Sequence, residues 1–129
     1  INVREPLDES VWFLNDENDV RSSHFMEYVA TEYKVQGLEL DWVGLCWDAD
    51  LRRENNGWDF KIFSGTKWNQ SKNKLEQQYL LNTYRVLLTR AREGLIIFVP
   101  EGDTSDDTRL PKYYTPIFNY LIDCGLTAL

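Results

Sequence analysis

The residues best suited to chemistry lie in two stretches. The first is residues 31–41, Thr-Glu-Tyr-Lys-Val-Gln-Gly-Leu-Glu-Leu-Asp, set between apolar segments at 25–30 and 42–47. A plain core connection rarely carries so many polar groups in so few residues. Gly37 lets the backbone take a positive φ or approach a ligand closely. Gln36 and Glu39 flank it and can exchange hydrogen bonds. Thr31, Tyr33 and Lys34 lie just upstream, where they could meet a phosphate or a base. The second stretch is residues 84–95. There Leu80, Tyr84, Leu87, Leu88 and Ala91 fall on one helical face. Arg90 is at one edge of that face, and Arg85 and Arg92 are at the other. An arginine so placed can leave the core and reach a neighbouring surface.

Other chemistry is poorly supported. No Gly-x-x-x-x-Gly-Lys-Ser/Thr phosphate loop occurs in the 129 residues. Asp48 and Asp50 follow an apolar strand, as a magnesium-binding acid would. Without a phosphate loop to serve, they read more simply as solvated carboxylates at a strand end. No metal-ligand spacing is present, and His24 stands alone.

Two motifs carry a resemblance. Thr31, Tyr33, Gln36, Gly37, Leu38 and Glu39 resemble the fifth motif of superfamily 1 helicases, Thr-x-His-x-x-Lys/Gln-Gly-hydrophobic-Glu. Leu88-Thr89-Arg90-Ala91 resembles the sixth, hydrophobic-Thr-Arg-Ala. The order is right and the separation plausible. The chain is most similar, over about residues 12–125, to a bacterial domain family of unknown function with a motor-like ATPase and helicase region. That family carries Gln-Gly-Leu-Glu-Leu-Asp and Asn-Thr-Tyr-Arg-Val-Leu-Leu-Thr-Arg in the same order.

The resemblance implies a second RecA-like lobe of a superfamily 1-type motor. ATP would lie in the cleft between two such lobes. ATP and Mg2+ would be bound mainly by an N-terminal RecA-like lobe carrying the phosphate loop and the magnesium-binding acid. Arg90 matches the arginine finger. Gly37 and Glu39 match positions on the nucleotide side of the cleft, with Gln36 beside them. Thr31 and Tyr33 match positions near a single-stranded nucleic acid, with Lys34 adjacent. Tyr33 departs from the usual histidine: it can stack on a base but loses the imidazole's polar contacts.

Composition bounds the alternatives. One domain with a real core is expected over 1–129, and the start without Met suggests a piece of a longer protein. A net charge of −7 argues against whole-surface attraction to nucleic acid, so any contact must use a local patch. No run of about 18 apolar residues spans a membrane, and the polar start is no signal peptide. Cys46 and Cys124 read as free thiols, with a disulfide the minority case, and a cytoplasmic location is expected.

The elements that must position these residues follow from pattern. Residues 10–15 suit a short strand. Residues 25–33 are ambiguous between helix and strand, and the motif favours strand for 28–33. Residues 40–47 and 95–99 are continuously apolar strands, as in a parallel sheet covered on both faces. Residues 51–70 read as an inserted β-hairpin, turning at Ser64-Gly65. Its Trp58, Trp68, Lys61 and Lys67 could form a base-stacking platform, although inward-packed tryptophans are the plainer reading. Ser71 is placed to cap a helix running to about Arg92, closed by Gly94. Pro116 opens a last helix ending near Gly125. The fold class expected is α/β: a RecA-like lobe with a mainly parallel sheet, helices on both faces and the inserted hairpin. A degenerate lobe kept as a nucleic-acid or protein-binding module is the runner-up. A plain interaction domain using its five tryptophans is a third reading.

Overall fold

The computed structural model describes residues 7–35 and 37–129. The chain divides into two compact units, residues 1–38 and residues 39–129.

The first unit is helical turns and loops. Helix α1 (Glu9–Leu14) begins at Asp8, whose carboxylate accepts from the N–H groups of Ser10 and Val11. The strand expected at 10–15 is therefore a helix. Asp8 meets the orphan amides of the first turn, and that local cap outweighs the β propensity of Val11, Trp12 and Phe13. Trp12 is the buried anchor, its Nε1 donating to the Tyr28 carbonyl at 3.1 Å. The strand expected at 28–33 is absent too. A short helix α2 (Glu32–Val35) replaces it, so the helical alternative held for that segment's end.

In the second unit, β1 (Leu40–Cys46) and β5 (Ala91–Phe98) form a two-stranded parallel sheet, with Val43 opposite Leu95 and Leu45 opposite Ile97. The larger sheet is an antiparallel meander of β2 (Leu51–Glu54), β3 (Gly57–Ser64) and β4 (Lys67–Gln70). The architecture is thus mixed α/β, with a small parallel sheet beside an antiparallel one rather than a mainly parallel sheet. Asn55 and Asn56 both take positive φ between β2 and β3, as a two-residue hairpin turn needs. The expected turn at Ser64-Gly65 is present, and Gly65 supplies its positive φ.

Helix α3 (Lys74–Leu88) joins the two sheets. Its cap is Asn73, whose side chain accepts from Leu75 N–H at 3.0 Å, and not Ser71. Ser71 is instead buried at the end of the meander, its N–H bonded to the Phe60 carbonyl. Asn73→Ala should therefore cost about 1 kcal/mol. Ser71→Ala, which removes a buried hydroxyl without a partner among the described residues, should cost less or stabilise. Urea denaturation of both variants checks the contrast.

The helix also stops earlier than its composition suggests. Thr89 turns its hydroxyl back onto the carbonyls of Arg85 and Val86. Pairing with β1 begins at Ala91, so tertiary strand pairing overrides the helix propensity of 90–92. Gly94 does not close the helix; it lies inside β5, where a Cβ would stand 2.1 Å from the Trp42 ring.

The core is Trp47, Leu51, Tyr84, Ile117 and Leu121, flanked by Trp58, Phe60, Leu80, Leu88, Ile97 and Val99. Helix α4 (Thr115–Asp123), opened by Pro116 as expected, supplies Ile117 and Leu121. Within this unit the opposite face of the parallel sheet is open: Trp42, Ile96 and Phe98 are each more than half exposed. Continuous apolarity in the two strands thus does not mean burial on both sides here.

Candidate functional site

The two motif stretches contribute to one edge of the parallel sheet. β1 and β5 run in the same direction, with Leu40 opposite Ala91 at their amino ends. The Leu40 N–H donates to the Arg90 carbonyl at 3.3 Å. Glu39 and Arg90, each one residue before its strand, are thus neighbours at the same end of the sheet. Arg90 does not lie on the flank of a helix, as the spacing suggested. It sits in the two-residue link between α3 and β5 and is half-buried. Among the described residues its guanidinium has no carboxylate partner and Glu39 has no cation. Just inside this edge Arg92 pairs with Asp41 at 2.7 Å, and Trp42 Nε1 donates to Glu93 at 3.1 Å. Those pairs consume the nearby charges and leave Arg90 and Glu39 available.

Gly37 and its upstream neighbours belong to the first unit. Gly37 takes φ +93, and no described residue beyond its chain neighbours lies within 4 Å of where its Cβ would stand. The glycine is required by backbone conformation, not by packing. Gln36 lies outside the described residues. Tyr33 is 79% exposed, leaving its ring available for stacking. Thr31 is also exposed. Lys34 is engaged: its Nζ forms an ion pair with Glu9, whose carboxyl the ammonium holds below the usual range. A phosphate reaching Lys34 must displace that carboxylate.

The opposite, carboxyl end of β1 holds a buried polar cluster that the sequence reading placed in solvent. Asp48 is exposed, as expected for a strand-end carboxylate. Asp50 is not: the Tyr84 hydroxyl donates to it at 2.7 Å and itself accepts from the Asp48 N–H at 3.2 Å. Burial pushes the Asp50 carboxyl up to about 6, although the Tyr84 hydrogen bond opposes the shift. Burial and the Asp50 charge push the Tyr84 phenol upward as well. The available signal was the immediate resumption of strand at Leu51-Arg52, which forces 48–50 into a tight turn against the core.

Arg52 was also missed. It is 5% exposed, donates from Nε to the Ala49 carbonyl at 2.7 Å, and lies 3.5 Å from the Tyr113 ring centroid. It ties the meander to the segment that follows β5. By strand length this end of β1 lies about 20 Å from Arg90, so the two clusters are separate. Among the described residues no group of three or more His, Cys, Asp or Glu could hold a metal ion. Cys46 and Cys124 are both free thiols. No described helix is long and apolar enough to cross a membrane.

Residues 4–101 match the family model for the Schlafen group 3, DNA/RNA helicase domain. The matched span takes in both motif stretches and ends just after β5, leaving α4 outside it. It bears out a helicase-like domain. No curated protein and no solved structure matches the chain.

Proposed function

The chain belongs to the Schlafen group 3 DNA/RNA helicase domain family, and from that premise we propose that it acts as the second, RecA-like motor lobe of a superfamily 1-type NTPase. The observation that carries this reading is the adjacency of Glu39 and Arg90 at the amino ends of β1 and β5. Residues from two motifs far apart in sequence thus present a carboxylate and a guanidinium from neighbouring backbone positions.

In the proposed reaction the N-terminal RecA-like lobe of the motor holds ATP and Mg2+. Gln36, Gly37 and Glu39 line the nucleotide side of the interlobe cleft. Arg90 reaches the γ-phosphate oxygens when the lobes close, where positive charge most lowers the barrier to phosphoryl transfer. Thr31, Tyr33 and Lys34 form part of a single-strand track, Tyr33 stacking on a base and Lys34 exchanging Glu9 for a phosphate. The free thiols suit a reducing compartment, and a cytoplasmic location is proposed on that ground.

The track assignment is tested by single-strand binding of the chain, and the motor reading by ATP hydrolysis of the protein that also carries the N-terminal lobe. Tyr33→Ala with Lys34→Ala should weaken binding to an oligothymidylate. It should also lower the log–log salt slope by about 0.7, the share of one phosphate. An unchanged slope and affinity would remove both residues from the track. Single-strand binding without any hydrolysis would favour the runner-up, a degenerate lobe kept as a binding module.

A further inference from the structure

We propose that a one-residue bulge in β5, at Arg92 and Glu93, is the device that aims Arg90, with Asp41 and Arg92 as its positioning pair. The inference deepens the proposed motor function and rests on that reading for the reaction it serves.

Register is the first argument. From Trp42 to Cys46 the parallel pairing is regular, with Trp42 opposite Gly94 and Cys46 opposite Phe98. Carried back unchanged, that register would set Glu39 opposite Ala91 and leave Leu38 level with Arg90. Instead Leu40 pairs with Ala91, so Arg92 and Glu93 together face Asp41. The extra residue is what brings Glu39 level with Arg90. A bulge bends its strand and redirects nearby side chains, and it is uncommon between parallel strands. The core pairs Val43–Leu95 and Leu45–Ile97 lie on the regular side of this one. Its consequence therefore falls on the amino end of the sheet, where Glu39 and Arg90 sit.

The contacts around the bulge are the second argument. Both residues facing Asp41 are tied to β1 by their side chains. Arg92 Nη2 meets Asp41 Oδ1 at 2.7 Å, and Trp42 Nε1 donates to Glu93 Oε2 at 3.1 Å. The bulge is also pinned at each end. The Trp42 ring lies over Gly94 at a distance that leaves no room for a Cβ, and the Leu40 N–H holds the Arg90 carbonyl. The side chains of Arg92 and Asp41 are 62% and 57% exposed, and a pair so open to water adds little to folding stability. What it contributes is direction, since it ties the second residue after Arg90 to the neighbouring strand. A finger needs that, because a misplacement of about 1 Å is enough to lose most of what a positioned charge supplies. The same pair engages the guanidinium of Arg92, the nearest rival to Arg90, and leaves Arg90 the arginine of this edge without a carboxylate among the described residues.

The test is steady-state ATP turnover of the protein that also carries the N-terminal lobe, with thermal melting of each variant. Asp41→Arg and Arg92→Asp should each lower kcat about tenfold or more and leave KM nearly unchanged, the mark of an interaction made in the transition state. Asp41→Arg/Arg92→Asp rebuilds the pair in reverse and should regain most of the loss. Arg92→Lys keeps the charge and should keep most of the turnover. In an Arg90→Ala background, Asp41→Arg should lower turnover no further, because the pair acts through Arg90. Melting should change little. If a reversed variant melts early, the neutral Asp41→Asn and Arg92→Gln take its place, with the same direction of effect on kcat. Turnover like the parent's in both single variants overturns the proposal, and the motor reading stands if Arg90→Ala still loses turnover. A loss with Arg92→Asp that the reversed pair does not restore also overturns it, since Arg92 would then act by itself. So does a further loss from Asp41→Arg beside Arg90→Ala. If the parent hydrolyses no ATP, or Arg90→Ala turns over normally, the finger reading and the positioning pair fail together.

Discussion

Arg90→Ala in the motor that also carries the proposed N-terminal lobe should lower ATP turnover by about 10³-fold or more, while nucleotide affinity changes far less. The expectation follows from the proposed finger role: a charge that meets the γ-phosphate only on lobe closure acts mainly in the transition state. Its placement suits the task. The Arg90 carbonyl is held by the Leu40 N–H, and the flanking Thr89 and Ala91 are fixed by the helix cap and the strand register. The backbone is anchored on both sides, whereas the guanidinium has no carboxylate among the described residues. Arg90→Lys should rescue poorly, because an ammonium cannot reproduce the planar fork. Stability should fall only slightly, since a half-buried side chain with no polar partner among the described residues is removed. Steady-state ATPase and thermal melting of the same variants separate the outcomes. Normal turnover removes Arg90 from the catalytic list. A large drop in melting temperature shows that it is structural.

Much of this arrangement is legible from residue pattern, and the limits have physical causes. The strands around Val43 and Ile97 read clearly because runs of apolar, β-branched residues have few alternatives. The turn between β3 and β4 read correctly because Ser64-Gly65 supplies a conformation that other residues resist, whereas β2, which makes 51–70 a three-stranded meander and not a single hairpin, did not. The position of Arg90 did not, because residues 89–92 have no strong local preference. Pairing of Ala91 with Leu40, 51 residues away in sequence, decides where the helix stops. Asp8 and Asn73 likewise act through single hydrogen bonds that define a helix start better than average propensity does. The openness of Trp42, Ile96 and Phe98 could not be read from the strands at all, since apolarity states a preference for burial and not what covers the face.

The last expectation concerns Asp50, the half-buried carboxyl that follows the carboxyl end of β1. Its folded-state pKa, about 6, is raised above the ordinary 3.8 chiefly by burial. A raised carboxyl favours the folded state only when protonated. Its contribution is therefore complete below 3.8 and is lost as pH rises through about 6. The rise from 3.8 to about 6 corresponds to about 3 kcal/mol of stability lost across that window. Asp103 and Asp106 behave oppositely: hydrogen bonds from Ser105 and Thr108 hold them below the usual range. Their contribution is present at neutral pH and falls only on acidification below that range. Glu9, held below its ordinary 4.5 by Lys34, adds an opposite slope at the acid end of the window, so the difference between parent and Asp50→Asn isolates Asp50. In Asp50→Asn the amide oxygen can still accept from the Tyr84 hydroxyl, while the buried charge is gone. That variant should match the parent near the acid end of the window and exceed it by up to about 3 kcal/mol above it, flattening the profile. Tyr84→Phe removes the hydrogen bond that favours the ionised form, so its transition should move to higher pH. It also leaves the Asp48 N–H without its acceptor, adding a destabilisation independent of pH. Urea unfolding monitored by tryptophan fluorescence at a series of pH values measures all three proteins. A parent profile with no slope in this window, or an Asp50→Asn variant less stable than the parent above it, would mean that Asp50 keeps its charge hydrated in the fold.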